Sequence, residues 1–108
     1  MPPFEWYNDS ISSWARKAGL TLVNFTPGTS SNADYTTPDM GGRYVPSDSI
    51  LGRILSYERA DPLGLNGFIL LLHIGTDPRR PDPMYARLDE LLTELTKRGY
   101  QFRSFADR

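Results

Sequence analysis

The sequence predicts an α/β fold, with three helices alternating with about three parallel strands in one domain over 1–108. Three observations predict it. Apolar residues recur at helical spacing in three separate stretches, and a short apolar or β-branched run follows two of them closely. The run "FILLLH" at 68–73 is apolar at successive positions, the pattern of a strand covered on both faces. Short helix-to-strand turns favour a right-handed unit with a parallel sheet.

The first helix is expected over 9–18. Asn8, Asp9 or Ser10 can cap it, Ile11, Trp14 and Ala18 share a face, and Gly19 ends it. "LTLVNF" at 20–25 reads as the first strand. A long irregular stretch, 26–46, follows, and connections of that length are uncommon and often functional. The second helix opens at Ser47 or Asp48, with Ile50, Leu51, Ile54 and Leu55 on one side. "DPLGLNG" at 61–67 is a turn segment, and the second strand runs over 67–73. The third helix opens at Asp82-Pro83, carries Tyr85, Leu88, Leu91, Leu92 and Leu95 as its stripe, and stops at Gly99. "YQFRSF" at 100–105 is the last strand.

Composition narrows the function. A net charge of −1 gives no electrostatic case for nucleic acid or an anionic membrane. The longest apolar run is far short of the ~20 residues that span a bilayer. No leader opens the sequence, which places the chain in the cytoplasm if it is expressed as given. Without cysteine there is no disulfide or thiolate metal site, and one histidine falls short of the usual zinc ligand set.

That histidine, His73, ends the second expected strand, while the 26–46 loop leaves the carboxyl end of the first. Sites in parallel α/β sheets gather on that rim. His73 is therefore either a structural histidine bonded to a loop carbonyl or a titrating site residue. The carboxylates in reach are Asp34, Asp39 and Asp77, of which Asp77 also reads as a turn cap before Pro78. "PGTSSNADY" at 27–35 lacks the Gly-Lys-Ser/Thr ending of a phosphate cradle. "FEWYN" at 4–8 groups aromatic rings that suit either sugar stacking or packing.

The stretches "PPFEWYN", "LVNFTPGTSSNADYT" and "GFILLLHIGT…RLDELLTELTKRGYQF", in that order, together resemble the polysaccharide deacetylases of carbohydrate esterase family 4, the NodB-like group. The resemblance implies a partial, half (β/α) barrel, cut from the carboxyl-terminal part of an enzyme that removes N- or O-acetyl groups from carbohydrates. In that family zinc or another divalent metal is held by one Asp and two His. A second Asp is the base, and a late His is the general acid. By resemblance His73 matches the acid, and Leu71 matches a residue lining the acetyl-methyl pocket. Asp34-Tyr35 looks like the family's Asp-Trp pair, in which the Asp tunes the acid and the aromatic walls the groove. Pro2, Pro3 and Phe4 look like the tail of the segment carrying an Arg that orients the base, and Met1 stands about where that Arg would be. The motif holds Ser31 where the family often has another Asp.

The family's Asp-Asp and His-x-x-x-His motifs have no counterpart in this sequence, so the resemblance implies no metal ligand and no cofactor held by this chain. It implies a half-barrel inactive by itself. The alternatives are a carbohydrate-binding remnant using Trp6, Tyr7 and Tyr35, and an active hydrolase assembled as an oligomer. A half-barrel would leave one sheet face bare, which predicts a homodimer through that face.

Overall fold

The computed structural model describes residues 8–104. The first helix, α1, spans Asp9–Lys17, and Asn8 caps it by accepting the Ile11 N–H at 3.0 Å. It ends at Ala18, and Gly19 follows at φ +75°, the left-handed exit glycine adopts without strain. No residue of α1 is buried, and Trp14 remains 65% exposed, so α1 contributes no side chain to the core.

Two short 3-10 turns, Ser31–Tyr35 and Pro38–Arg43, shape the long loop before the second helix. That helix, α2, spans Ser47–Ala60, and its Ile50, Leu51 and Ile54 are buried. A further 3-10 turn, Met84–Arg87, leads directly into α3, Leu88–Lys97. Met84, Leu91 and Leu95 pack with the α2 residues to form the core. Val45, Leu55, Leu65, Leu70, Leu72 and Tyr100 cover its flanks. Helical spacing explains the result, since i, i+3 and i+4 positions on α2 and α3 give each helix one apolar stripe.

The expected sheet is corrected. The structure is helical and contains no strand among the described residues, so it is not an α/β half-barrel. A ladder needs successive reciprocal main-chain bonds. Here one such bond joins 20–26 to 68–73, from Thr26 N to the Ile69 carbonyl at 2.9 Å. Side chains intercept the donors that would continue it. Ile69 N donates to Thr26 Oγ1 at 3.0 Å, Phe25 N to Asn24 Oδ1 at 2.9 Å, and His73 N to Asp34 Oδ2 at 2.6 Å. Tyr100 N turns back to the Leu95 carbonyl at 3.1 Å, which closes α3 instead of opening a strand. The 68–73 run is only half-buried throughout, not covered on two faces. The sheet face expected to carry a dimer therefore has no counterpart among the described residues.

Asp82 is a second correction. It does not open its own helix. Its carboxylate accepts the Ser47 N–H at 2.7 Å and so caps α2, whose own N-cap, Pro46, has no side-chain oxygen to offer. None of the described helices is long and apolar enough to cross a membrane.

Candidate functional site

Asp34 lies on the 3-10 turn Ser31–Tyr35, a turn that puts its carboxylate inward and leaves the Asp34 side chain with 0% exposure. Both carboxylate oxygens go to one residue. Oδ2 accepts the main-chain N–H of His73 at 2.6 Å, and Oδ1 meets the His73 ring Nδ1 at 2.6 Å. An ionised carboxylate can only accept, so the network assigns the ring proton to Nδ1. The His73 side chain is 36% exposed, and Nε2 has no hydrogen-bond partner among the described residues. The pair thus leaves one nitrogen of a part-exposed imidazole without a partner among the described residues, its ring held by a buried carboxylate. A ring so held can donate, accept or carry a proton at Nε2.

Tyr35 follows Asp34 in the same turn. Its ring meets the His73 ring edge-on, with centroids 6.1 Å apart at 77°, and it stays 46% exposed. Leu71 is half-buried on the segment that ends at His73. Trp6, Tyr7, Pro2, Pro3 and Phe4 lie outside the described residues. Ser31 Oγ is buried without a hydrogen-bond partner among the described residues.

The other two carboxylates in reach are engaged elsewhere. Asp77 accepts from the Arg79 side chain and from Arg79 N at 2.9 Å, the turn-capping role. Bonds from the Arg79 side chain, then its main-chain N–H, hold the Asp77 carboxyl at about 2. Asp39 accepts from the Thr37 hydroxyl, which lowers its pKa, and pairs with Arg79 at 3.1 Å. Sequence reasoning passed over Arg79 and Arg80, because "DPRRPDP" reads as turn chemistry.

The divalent metal of the resembled family has no candidate site among the described residues. No group of three or more His, Cys, Asp or Glu among the described residues is placed to hold an ion. A cleft of about 550 Å³ lies near Glu58, Arg98, Tyr100 and the 61–66 turn, and it includes neither Asp34 nor His73. Its polar groups largely satisfy one another. Arg98 Nη1 donates to Glu58 at 2.6 Å, and Tyr100 Oη accepts Leu65 N at 2.8 Å while donating to Glu58 at 3.3 Å. Comparisons with protein-family models, curated proteins and solved structures return no match.

Proposed function

We propose that this chain supplies the proton-donating arm of a carbohydrate deacetylase-type site, with His73 as general acid. The observation that carries the reading is the buried Asp34 carboxylate spent on His73, whose Nε2 has no partner among the described residues. In this reading Asp34 fixes the ring and its tautomer. In the imidazolium form, Nε2 delivers its proton to the departing amine nitrogen or alkoxide oxygen of an acetylated sugar, and the ring returns to the neutral Nδ1–H tautomer. Tyr35 walls the groove, and Leu71 lines the space for the acetyl methyl. A positioned acid contributes a factor of about 10²–10⁴. By the resemblance, the base for the attacking water has no counterpart in this sequence, so in this reading a second chain of an assembled form supplies it.

The test has two parts. Acetylated chitooligosaccharides and acetylxylan fragments are titrated against the labelled protein while the His73 and Tyr35 ring signals are followed. Both rings are expected to respond, and His73→Ala is expected to weaken binding. Acetate release is measured in parallel, and the chain alone is expected to release none. Silence of both rings at millimolar sugar would overturn the reading. Ring responses with no acetate release in any assembled form would instead favour a carbohydrate-binding module, the role that the half-exposed Tyr35 also suits.

A further inference from the structure

We infer that Arg80 is a positioning residue for the Asp34–His73 pair, clamping the loop that bears Asp34 onto the segment that bears His73. Arg80 is 4% exposed, yet none of its direct hydrogen-bond partners is a carboxylate. Nη1 donates to the Thr36 carbonyl at 2.8 Å and approaches Thr36 Oγ1 at 3.4 Å. Nη2 donates to the Val45 carbonyl and to Ser47 Oγ, both at 3.0 Å, and Nε donates to the Asp82 carbonyl at 3.1 Å. The guanidinium carbon lies 5.5 Å from the centre of the Tyr44 ring.

Burying a cation is costly unless its donors are matched. A flexible loop offers no such matched set, so the fork and the carbonyls fix one another. Arginine is suited to this because its donors lie in one rigid plane, which lysine cannot reproduce. The clamp reaches the site through Thr36. The Thr36 hydroxyl donates to the Ala33 carbonyl at 2.7 Å and accepts Val45 N at 3.0 Å, and Thr36 N also bonds Ala33 O at 3.1 Å. Asp34 sits inside the turn so closed. On the other side, Arg80 stands at the far end of the short 74–79 loop that begins at His73. The chain segments bearing Asp34 and His73 are thus joined directly by the pair and again through the guanidinium, beside the Thr26–Ile69 and Asp39–Arg79 bonds.

The inference rests on the geometry of the pair and not on the deacetylase reading, and its test involves neither sugar nor turnover. Arg80→Met and Arg80→Lys are compared by NMR, with circular dichroism monitoring the helices. The readouts are the hydrogen-bonded Nδ1–H signal of His73 and the protection of the His73 amide relative to the Ile54 amide inside α2. In Arg80→Met the Nδ1–H signal is expected to vanish, and that protection ratio to fall about tenfold. Arg80→Lys keeps the charge without the fork and is expected to rescue neither. Tyr100→Phe, which breaks a polar bridge far from the clamp, is expected to lower global stability and leave the ratio unchanged. Should Arg80→Met not fold, Thr36→Val cuts the same path while keeping the guanidinium bonds to main-chain carbonyls, and the same fall in the ratio is expected. A folded Arg80→Met, or failing that a folded Thr36→Val, with an unchanged Nδ1–H signal and ratio overturns the inference.

Discussion

Asp34→Asn should move a proton more than it moves the chain. Wild-type Asp34 offers two acceptors to two donors, the His73 main-chain N–H and the ring Nδ1–H, each at 2.6 Å. Asparagine offers one acceptor and one donor. The main-chain N–H cannot change character, so the amide oxygen must stay with it. The amide nitrogen then faces Nδ1 and drives the ring proton to Nε2, where the imidazole turns from an Nδ1–H into an Nε2–H tautomer. The energetic cost is worked from the same bonds. Hydrogen bonds to a charged group contribute about 1.5–3 kcal/mol each, against about 0.5–1.5 for neutral ones. Two bonds weakened in this way, offset by no longer burying a carboxylate, leave a net loss of about 1–2 kcal/mol. Nitrogen chemical shifts of the His73 ring report the tautomer, and urea denaturation reports the loss. An asparagine variant whose Nδ1 remains protonated, at wild-type stability, would refute the reasoning.

Other outcomes follow from the packing and the charges. Ile54 is fully buried in α2, and Ile54→Ala should lower the unfolding free energy by about 2–5 kcal/mol in denaturant titrations. Gly64 holds φ +61°, and a methyl group there would overlap the Tyr100 hydroxyl, so Gly64→Ala should destabilise. In a double-mutant cycle its cost should shrink once Tyr100→Phe removes that hydroxyl, and simple additivity would contradict the overlap. Asp77 titrates at about 2 in the folded chain against an ordinary 3.8. A depressed carboxyl stabilises above its unfolded value and loses that contribution as pH falls through the folded one, so the Arg79–Asp77 contribution is full above pH ~4 and fades between ~4 and ~2. Carboxyl carbon NMR should find Asp77 returning toward 3.8 in Arg79→Ala.

The helices were legible because their signals are local. Asn8 before an acidic first turn, Ser47 before an apolar stripe, and Leu91 with Leu95 each need only neighbours in sequence to be read. The strands were misread for the complementary reason. "LTLVNF" and "FILLLH" have the composition of strands, but a strand exists only where a partner offers main-chain groups, and Thr26, Asn24 and Asp34 offer side-chain oxygens first. The contact of Asp34 with His73 was legible by resemblance alone, since periodicity does not distinguish Asp34 from Asp39 or Asp77. The Arg80 clamp left no trace in the sequence, because three of its bonds go to main-chain carbonyls and its hydroxyl partners, Thr36 and Ser47, lie more than 30 residues away. Asp82 was recognised as a cap and assigned to the wrong helix, because a capping oxygen serves whichever N-terminus the fold brings near.

Many of the polar pins of this molecule span a similar length of chain. Asp34 to His73, Tyr44 to Asp82, Ser47 to Asp82, Arg80 to Val45, Asp48 to Arg87, Glu58 to Arg98 and Leu65 to Tyr100 all join residues separated by 35–40 positions. Closing a loop of that size costs about 3 kcal/mol of chain entropy beyond a constant, and the cost rises only slowly with length. Once α2 docks on the Met84–Leu95 stretch, much of that closure has been made, and the later contacts close shorter remaining loops at smaller entropic cost. The Asp34–His73 pair therefore closes across a loop that core formation has already shortened.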